Sequence, residues 1–294
     1  MTTVADWVEG ARLRTLPAAF SPVLAGTGAA VAAESFKPLH ATLALVVALA
    51  LQVGVNYAND YSDGIRGTDS EARVGPQRLV GSGAAPAHVV KRAAFLCFGI
   101  GAVAGLLLVV LTGQWWLLAV GAASIVAAWY YTGGANPYGY LGLGEVFVFV
   151  FFGLVAVCGT TYVQVGRVTG PSLAAAVAIG ALACAILVCN NLRDIDTDRV
   201  AGKRTLETRL GDRASRWFFV VLLAVAALAV VAVAALSGRW WSLLGLGFVV
   251  PLVGPTRLLL AGARGLPLVR VLKMTGIAEL VCAVGLLVGL SLPV

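Results

Sequence analysis

Apolar stretches long enough to cross a bilayer recur from one end of this 294-residue chain to the other, and no other feature limits its fold so strongly. A helix needs about 20 apolar residues to cross ~30 Å of hydrocarbon. Residues 16–34, 39–58, 93–113, 115–132, 143–165, 172–191, 217–237, 240–260 and 272–293 each supply such a run. Backbone groups in lipid must bond within their own segment or around a closed barrel. A barrel needs polar residues at every second position, which these Ala- and Val-rich runs lack. The expectation is therefore an all-α polytopic membrane protein, with nine transmembrane helices in one bundle. Charged residues make up 12% of the chain, too few to cover a water-facing surface. The 35 glycines suit helices that pack closely in lipid. The first run follows Arg12 and Arg14 without a cleavage site, so it reads as a retained helix and not a signal peptide.

Basic residues set the expected orientation. Of the 21 Lys and Arg, 18 fall at the N-terminus, in the segments after the second and sixth runs, and around the eighth-to-ninth connection. Lys37, Arg167 and Arg239 fall on the other side. The positive-inside rule then puts the N-terminus in the cytoplasm and the C-terminus outside, beneath a cytoplasmic cap of loops. The net charge of +7 is mostly this topology signal, and it gives no reason to expect a nucleic-acid partner. With 17 Arg against 4 Lys, and abundant Ala, Gly and Val, the chain reads as the product of a GC-rich bacterial gene, which implies the plasma membrane. The five Cys lie singly in apolar runs, without metal spacing and away from His40 and His88, so they read as small buried hydrophobes.

Chemistry concentrates in two acidic clusters on the expected cytoplasmic side. The first, at the exit of the second run, contains Asn56, Asn59, Asp60, Asp63, Arg66 and Asp69. The second, at the exit of the sixth, contains Asn190, Arg193, Asp194, Asp196, Asp198 and Arg199. Each begins with Asn, places Asp four residues later and adds another Asp within the next turn. At helical spacing Asn190, Asp194 and Asp198 share a face, as do Asn56 and Asp60, with Asp63 one turn on. Stacked carboxylates repel and need a cation. Oxygen-only donors suit Mg²⁺, which binds through a few carboxylates plus substrate phosphates. The candidate metal ligands are Asn56, Asp60, Asp63, Asp69, Asn190, Asp194 and Asp198. Arg66, Arg73 and Arg78 beside the first cluster, and Arg193, Lys203 and Arg204 beside the second, are placed to clamp phosphate oxygens. A single cluster of this kind could be a solvated loop. Two of one design, 134 residues apart, point to a shared ligand. Tyr57 and Tyr61 interleave with the first cluster, and Trp129, Tyr130, Tyr131, Tyr138 and Tyr140 surround the turn after the fourth run. Such rings can shield a carbocation or form an interfacial belt.

Paired Asp-rich motifs on this frame resemble the UbiA superfamily of intramembrane prenyltransferases. Further segments resemble the branch that prenylates 1,4-dihydroxy-2-naphthoate in menaquinone synthesis. They include Arg12-Leu-Arg14-Thr15-Leu-Pro17, Asn59-Asp60-Tyr61-Ser-Asp63-Gly64-Ile-Arg66-Gly67-Thr-Asp69, Gly75-Pro76-Gln-Arg78-Leu79-Val80, Tyr138-Gly139-Tyr140-Leu-Gly142-Leu-Gly144-Glu145 and Leu272-Lys273-Met-Thr275-Gly276. The resemblance runs from about residue 7 to residue 280. It implies a single domain over 1–294 with two internally similar halves. It also implies Mg²⁺-dependent transfer of a polyprenyl chain from its diphosphate to the naphthoate ring, with loss of the ring carboxylate, in a lipid setting. Asp60, Asp63, Asp194, Asp198, Tyr131 and Tyr140 would then be catalytic, with Asn56, Asn59, Arg66, Arg78, Asn190, Arg193, Lys203 and Arg204 on the substrates. Arg12, Arg14 and Lys273 are candidates for the acceptor carboxylate by charge and side alone. The superfamily pattern Asn-x3-Asp-x3-Asp meets Gly64 here, so Asp63 and Asp69 both stand for its last position. Alternatives are another aromatic acceptor, such as 4-hydroxybenzoate or homogentisate. A CDP-alcohol phosphotransferase would need further Asp residues close after Asp63-Gly64, and a transporter would need more intramembrane acids than Glu279.

Overall fold

The computed structural model describes residues 2–67 and 78–293, and every described element is helical. A short helix α1 (Val4–Gly10) starts on a capping box in which Thr3 and Asp6 exchange hydrogen bonds. The chain then turns through Arg12, in the left-handed region at φ 54°, and enters α2 (Pro17–Ala32) at a 46° bend. Next come α3 (Pro38–Arg66), α4 (Ala87–Thr112), α5 (Leu117–Tyr130) and α6 (Gly144–Val165). After α7 (Gly170–Arg193) the short helices α8 (Ile195–Val200) and α9 (Leu206–Leu210) lead into α10 (Asp212–Ser237). Helices α11 (Trp240–Leu260) and α12 (Leu266–Ser291) complete the described chain.

Every apolar run of the sequence lies on one of these helices, which makes this an all-helical, multi-pass membrane protein. Among the described residues seven helices are long and apolar enough to cross a bilayer, or eight if α2 is joined to the segment before its bend. Helix α5, at 14 residues, is shorter. It spans about 21 Å at 1.5 Å per residue. Helix α3 continues two turns beyond residue 58, where hydropathy ends the run, and stops at Gly67 in the left-handed region. Asn56, Asn59, Asp60, Asp63 and Arg66 of the first acidic cluster are therefore on the helix and not in a loop. Hydropathy misses this because those turns bury polar side chains inside the protein.

Helix α7 is the axis of the bundle. Ala175, Ile179, Leu182, Ala185 and Val188 along it are fully buried, and α2, α6, α10 and α12 pack around it. Small residues permit that closeness. A Cβ at Gly153 of α6 would lie 2.7 Å from the Ala176 carbonyl of α7. At Gly289 of α12, it would lie 2.1 Å from the Trp241 carbonyl. Outward faces carry large apolar side chains such as Val103, Val110, Leu228 and Val250. Trp115, Trp116, Trp240 and Trp241 are exposed at the end of the bundle away from the acidic clusters, as in an interfacial belt.

Candidate active site

The helical repeat of α3 turns Asn56, Asn59, Asp60 and Asp63 inward, and all four are buried. Each finds a partner, as burial of polar groups requires. Asn56 donates from its amide nitrogen to the Ala11 carbonyl and to Thr15 Oγ1, both at 2.9 Å. Gln52, one turn earlier, donates to the same Thr15 oxygen at 3.0 Å. These bonds tie the bent N-terminal segment to α3, and Tyr57 adds another by donating to the Trp7 carbonyl at 3.0 Å. Asp60 accepts the backbone N–H groups of Leu79 and Val80, each at 2.9 Å, and so pins the chain as it returns towards α4.

Asp63 is where the two acidic clusters meet. Its carboxylate accepts the Tyr140 hydroxyl at 2.5 Å and lies 3.9 Å from Arg78 Nη2 and 3.7 Å from Lys203 Nζ. The same Lys203 nitrogen lies 3.7 Å from Asp198. One ammonium therefore bridges an Asp of α3 and an Asp of α8, and it stands 4.6 Å over the Tyr140 ring. Arg66 reaches the same ring at 5.3 Å and donates to the carbonyls of Thr132 and Gly134. Thr132 in turn donates to Asn59 Oδ1 at 2.7 Å.

The second cluster sits on a helix break. Asp194 closes α7 and opens α8, yet the four-residue bonds continue, Asp194 N–H to the Asn190 carbonyl and Asp198 N–H to the Asp194 carbonyl. Asn190, Asp194 and Asp198 thus keep the shared face that their spacing predicts. Arg193 grips Asp194 with two bonds, at 2.7 and 2.5 Å, and reaches Asn190 Oδ1 at 3.0 Å.

Below the clusters lies a cavity of about 610 Å³. Arg12, Arg14, Asn56, Asn59, Arg78, Asn190 and Arg193 line its polar end, with Tyr131 and Tyr138 beside them. Leu106, Val109, Leu118, Ile125, Phe151 and Val155 line the rest. Tyr138 is fixed by its hydroxyl on the Ala127 carbonyl at 2.9 Å and by stacking on Phe147 at 3.8 Å, and burial raises its phenol above the ordinary value. A charged rim thus caps an apolar chamber.

Several residues singled out from the sequence lie elsewhere. Lys273 is exposed and does not line the cavity. The Arg204 side chain is exposed too, and only its backbone N–H is used, on the Tyr140 carbonyl at 3.0 Å. Tyr61 stacks on Trp129 at 6.0 Å, under Lys91. Asp69 and Arg73 lie outside the described residues. The structure adds Thr15, Gln52, Asn191, Glu207 and the Leu79–Val80 backbone to the surroundings of the site. Of these, Gln52 carries a sequence signal, being polar within an apolar run. Among the described residues no three His, Cys, Asp or Glu side chains converge as a self-sufficient metal cage. The oxygen donors of Asp63, Asp198, Asp194 and Asn190, flanked by cations, instead fit an ion held partly by substrate phosphates.

The family model described as UbiA prenyltransferase matches residues 19–275. The chain belongs to the UbiA prenyltransferase family. A relative from Mycobacterium tuberculosis named 1,4-dihydroxy-2-naphthoate octaprenyltransferase is 53% identical over 287 residues, covering 96% of each chain. The fold of this UbiA member is close to the apo structure of a UbiA homologue from Aeropyrum pernix, with a TM-score of 0.70 at 17% identity over 92% of this chain and 96% of that one. A UbiA homologue from Archaeoglobus fulgidus bound to GPP and Mg²⁺ has a TM-score of 0.61 at 12% identity, covering 97% and 99%.

Proposed function

We infer that this protein transfers a polyprenyl group from its diphosphate to 1,4-dihydroxy-2-naphthoate, with loss of the ring carboxylate as CO₂. The observation that carries the reading is the Asp63–Lys203–Asp198 bridge above an apolar chamber. The name of the relative at 53% identity supports the choice of acceptor.

In this reading Asp63, Asp194, Asp198 and the Asn190 carbonyl hold Mg²⁺, with Asn56, Asp60 and Asp69 as further candidates. Held there, Mg²⁺ would supply positive charge to offset that growing on a departing diphosphate. Arg78, Arg193, Lys203 and Arg66 bind diphosphate oxygens. The prenyl chain lies in the chamber, where each buried methylene contributes about 0.8 kcal/mol. Tyr131 faces the allylic carbon with its ring, and Tyr140 orients Asp63. Arg12 or Arg14 takes the acceptor carboxylate. The rim excludes water, which would otherwise capture the prenyl cation. The naphthoate carbon bearing the carboxylate forms the new bond, CO₂ leaves with its electron pair returned to the ring, and diphosphate is the other product.

Nine crossings, with the N-terminus in the cytoplasm and the site facing it from the plasma membrane, complete the reading, as does the division of the single domain into two similar halves. The bias of 18 against 3 basic residues supports that orientation. The test is a membrane assay of polyprenyl diphosphate with dihydroxynaphthoate, 4-hydroxybenzoate or homogentisate. Prenylated naphthoquinol should form in Mg²⁺ and none in excess EDTA. Turnover of another acceptor alone would move the protein to a different branch, and full turnover in EDTA would sink the metal-dependent reading.

A further inference from the structure

The two halves of the site are brought together by a docking contact that lies outside it. Residues 138–145 carry Tyr140, the partner of Asp63, and residues 203–210 carry Lys203. Three interactions join these segments. The Arg204 N–H donates to the Tyr140 carbonyl at 3.0 Å, and Arg209 Nη2 donates to the Leu141 carbonyl at 2.9 Å. Glu207 of α9 is buried beside Glu145 of α6, and neither Glu207 carboxyl oxygen has a donor among the described residues. The approach is close. Gly142 is left-handed at φ 74°, and a Cβ there would lie 3.0 Å from the Arg204 carbonyl.

The carboxyl pair is sealed from solvent, with Glu145 at 5% exposure and Glu207 at 0%. Asn191 of α7 is its amide donor, bonding Glu145 Oε1 at 3.1 Å. Two buried carboxylates in contact cannot both ionise without a large penalty, so one of them keeps a proton and donates it to the other. Among the described residues no cation is paired with either carboxyl. On the α5 side the Tyr131 ring lies over Gly144, its hydroxyl 3.9 Å from where a Gly144 Cβ would stand. Cys184 of α7 donates its thiol to the Glu145 backbone carbonyl at 3.2 Å. Cys189 of α7 lies within range of Glu207, and Glu279 of α12 within range of Cys184. Arg193 is engaged with Asp194 and Asn190, and Arg209 with Leu141.

We propose that Glu145 and Glu207 share one proton and act as a latch, holding residues 203–210 against residues 138–145 so that Lys203 and Asp198 stay beside Asp63. Both are positioning residues, since they join the two segments and act on the site through Tyr140 and Lys203. Burial, with the Glu145 charge beside it, pushes Glu207 up to about 8. The docked state therefore binds the proton more tightly than an open state, in which Glu207 has an ordinary carboxyl. Docking is strongest at low pH and weakens as the pH rises through the raised value of Glu207.

The test uses the full-length protein in detergent, without substrate, and reads tryptic cleavage after Lys203 and Arg204 relative to the unfolded chain at the same pH. Wild-type cleavage should rise about tenfold from pH 7 to pH 9, as one proton is lost. In Glu207→Gln, whose amide donates to Glu145 without titrating, cleavage should stay low and flat. Glu145→Gln is the mirror variant and should behave alike, while Glu207→Leu should be cleaved fast at both pH values. Prenyl transfer, the one readout that rests on the function proposed above, should fall over the same range in wild type only by the share of protein that opens, and hold in Glu207→Gln. If cleavage in wild type and Glu207→Gln shows the same pH dependence, or none in either, the latch is wrong. If cleavage follows the expected pattern but no prenyl acceptor is turned over, the latch stands and the proposed function fails.

Discussion

Tyr140 joins several parts of the candidate site. Its hydroxyl holds Asp63, its ring lies under Lys203 and Arg66, and its carbonyl accepts the Arg204 N–H. Tyr140→Phe keeps the ring and removes the hydrogen bond to a carboxylate, an interaction of about 1.5–3 kcal/mol. Turnover should fall roughly 10- to 100-fold with little change in thermal stability, measured as kcat in membranes beside a melting curve. A rate close to wild type would remove that phenol from the mechanism. The candidate residues were legible in the sequence where they repeat at helical spacing. Asn56 and Asp60, like Asn190, Asp194 and Asp198, stand four apart and share a face. Glu145 and Glu207 were not legible as a pair. They lie 62 residues apart, on segments that meet only in three dimensions, and periodicity carries no information about that meeting. Charge alone likewise could not separate Arg12 and Arg14, which line the cavity, from Lys273, which does not.

Elements were readable by hydropathy in their middles and misread at their ends. Helix α3 runs to Arg66 because its last two turns bury polar groups against protein, so they look like loop to a scale built on lipid. Helix α6 passes through ten residues of π-helix, Phe149–Cys158, whose apolar run looks like any other. Glycine positions showed that helices pack closely but not which ones meet. The α12 contact with α11 depends on Gly289, where a Cβ would come within 2.1 Å of the Trp241 carbonyl. Gly289→Val should therefore lower the melting temperature sharply, since overpacking commonly costs about 1–3 kcal/mol and a backbone clash more. Gly99 of α4 has nothing within 4 Å of its Cβ position, so Gly99→Ala should melt at or above wild type, by up to about 1 kcal/mol of helix propensity. Equal melting of wild type and Gly289→Val in detergent would mean that this seam is loose.

At the scale of the molecule, two acidic segments 134 residues apart meet at one end of the bundle. Sidedness can be read by placing single Cys residues in a Cys-free background, at Ile65 and Val200, which are 57% and 91% exposed, and at Arg167 in the α6–α7 connection. In intact cells an impermeant thiol reagent should label position 167 and leave 65 and 200 unlabelled until permeabilisation. Labelling of only one of the latter two would separate the clusters. The most direct test of the shared site is a double-mutant cycle on Asp63→Asn and Asp198→Asn, read as prenyl transfer per folded protein. Each single change should lower turnover by at least ~100-fold, the scale of losing a preorganised charge-stabilising group. Because both carboxylates serve one diphosphate, the double variant should be about as slow as the slower single, as for residues that act as a unit. Multiplicative losses of roughly 10⁴-fold, or near-normal rates in either single variant, would contradict the shared site.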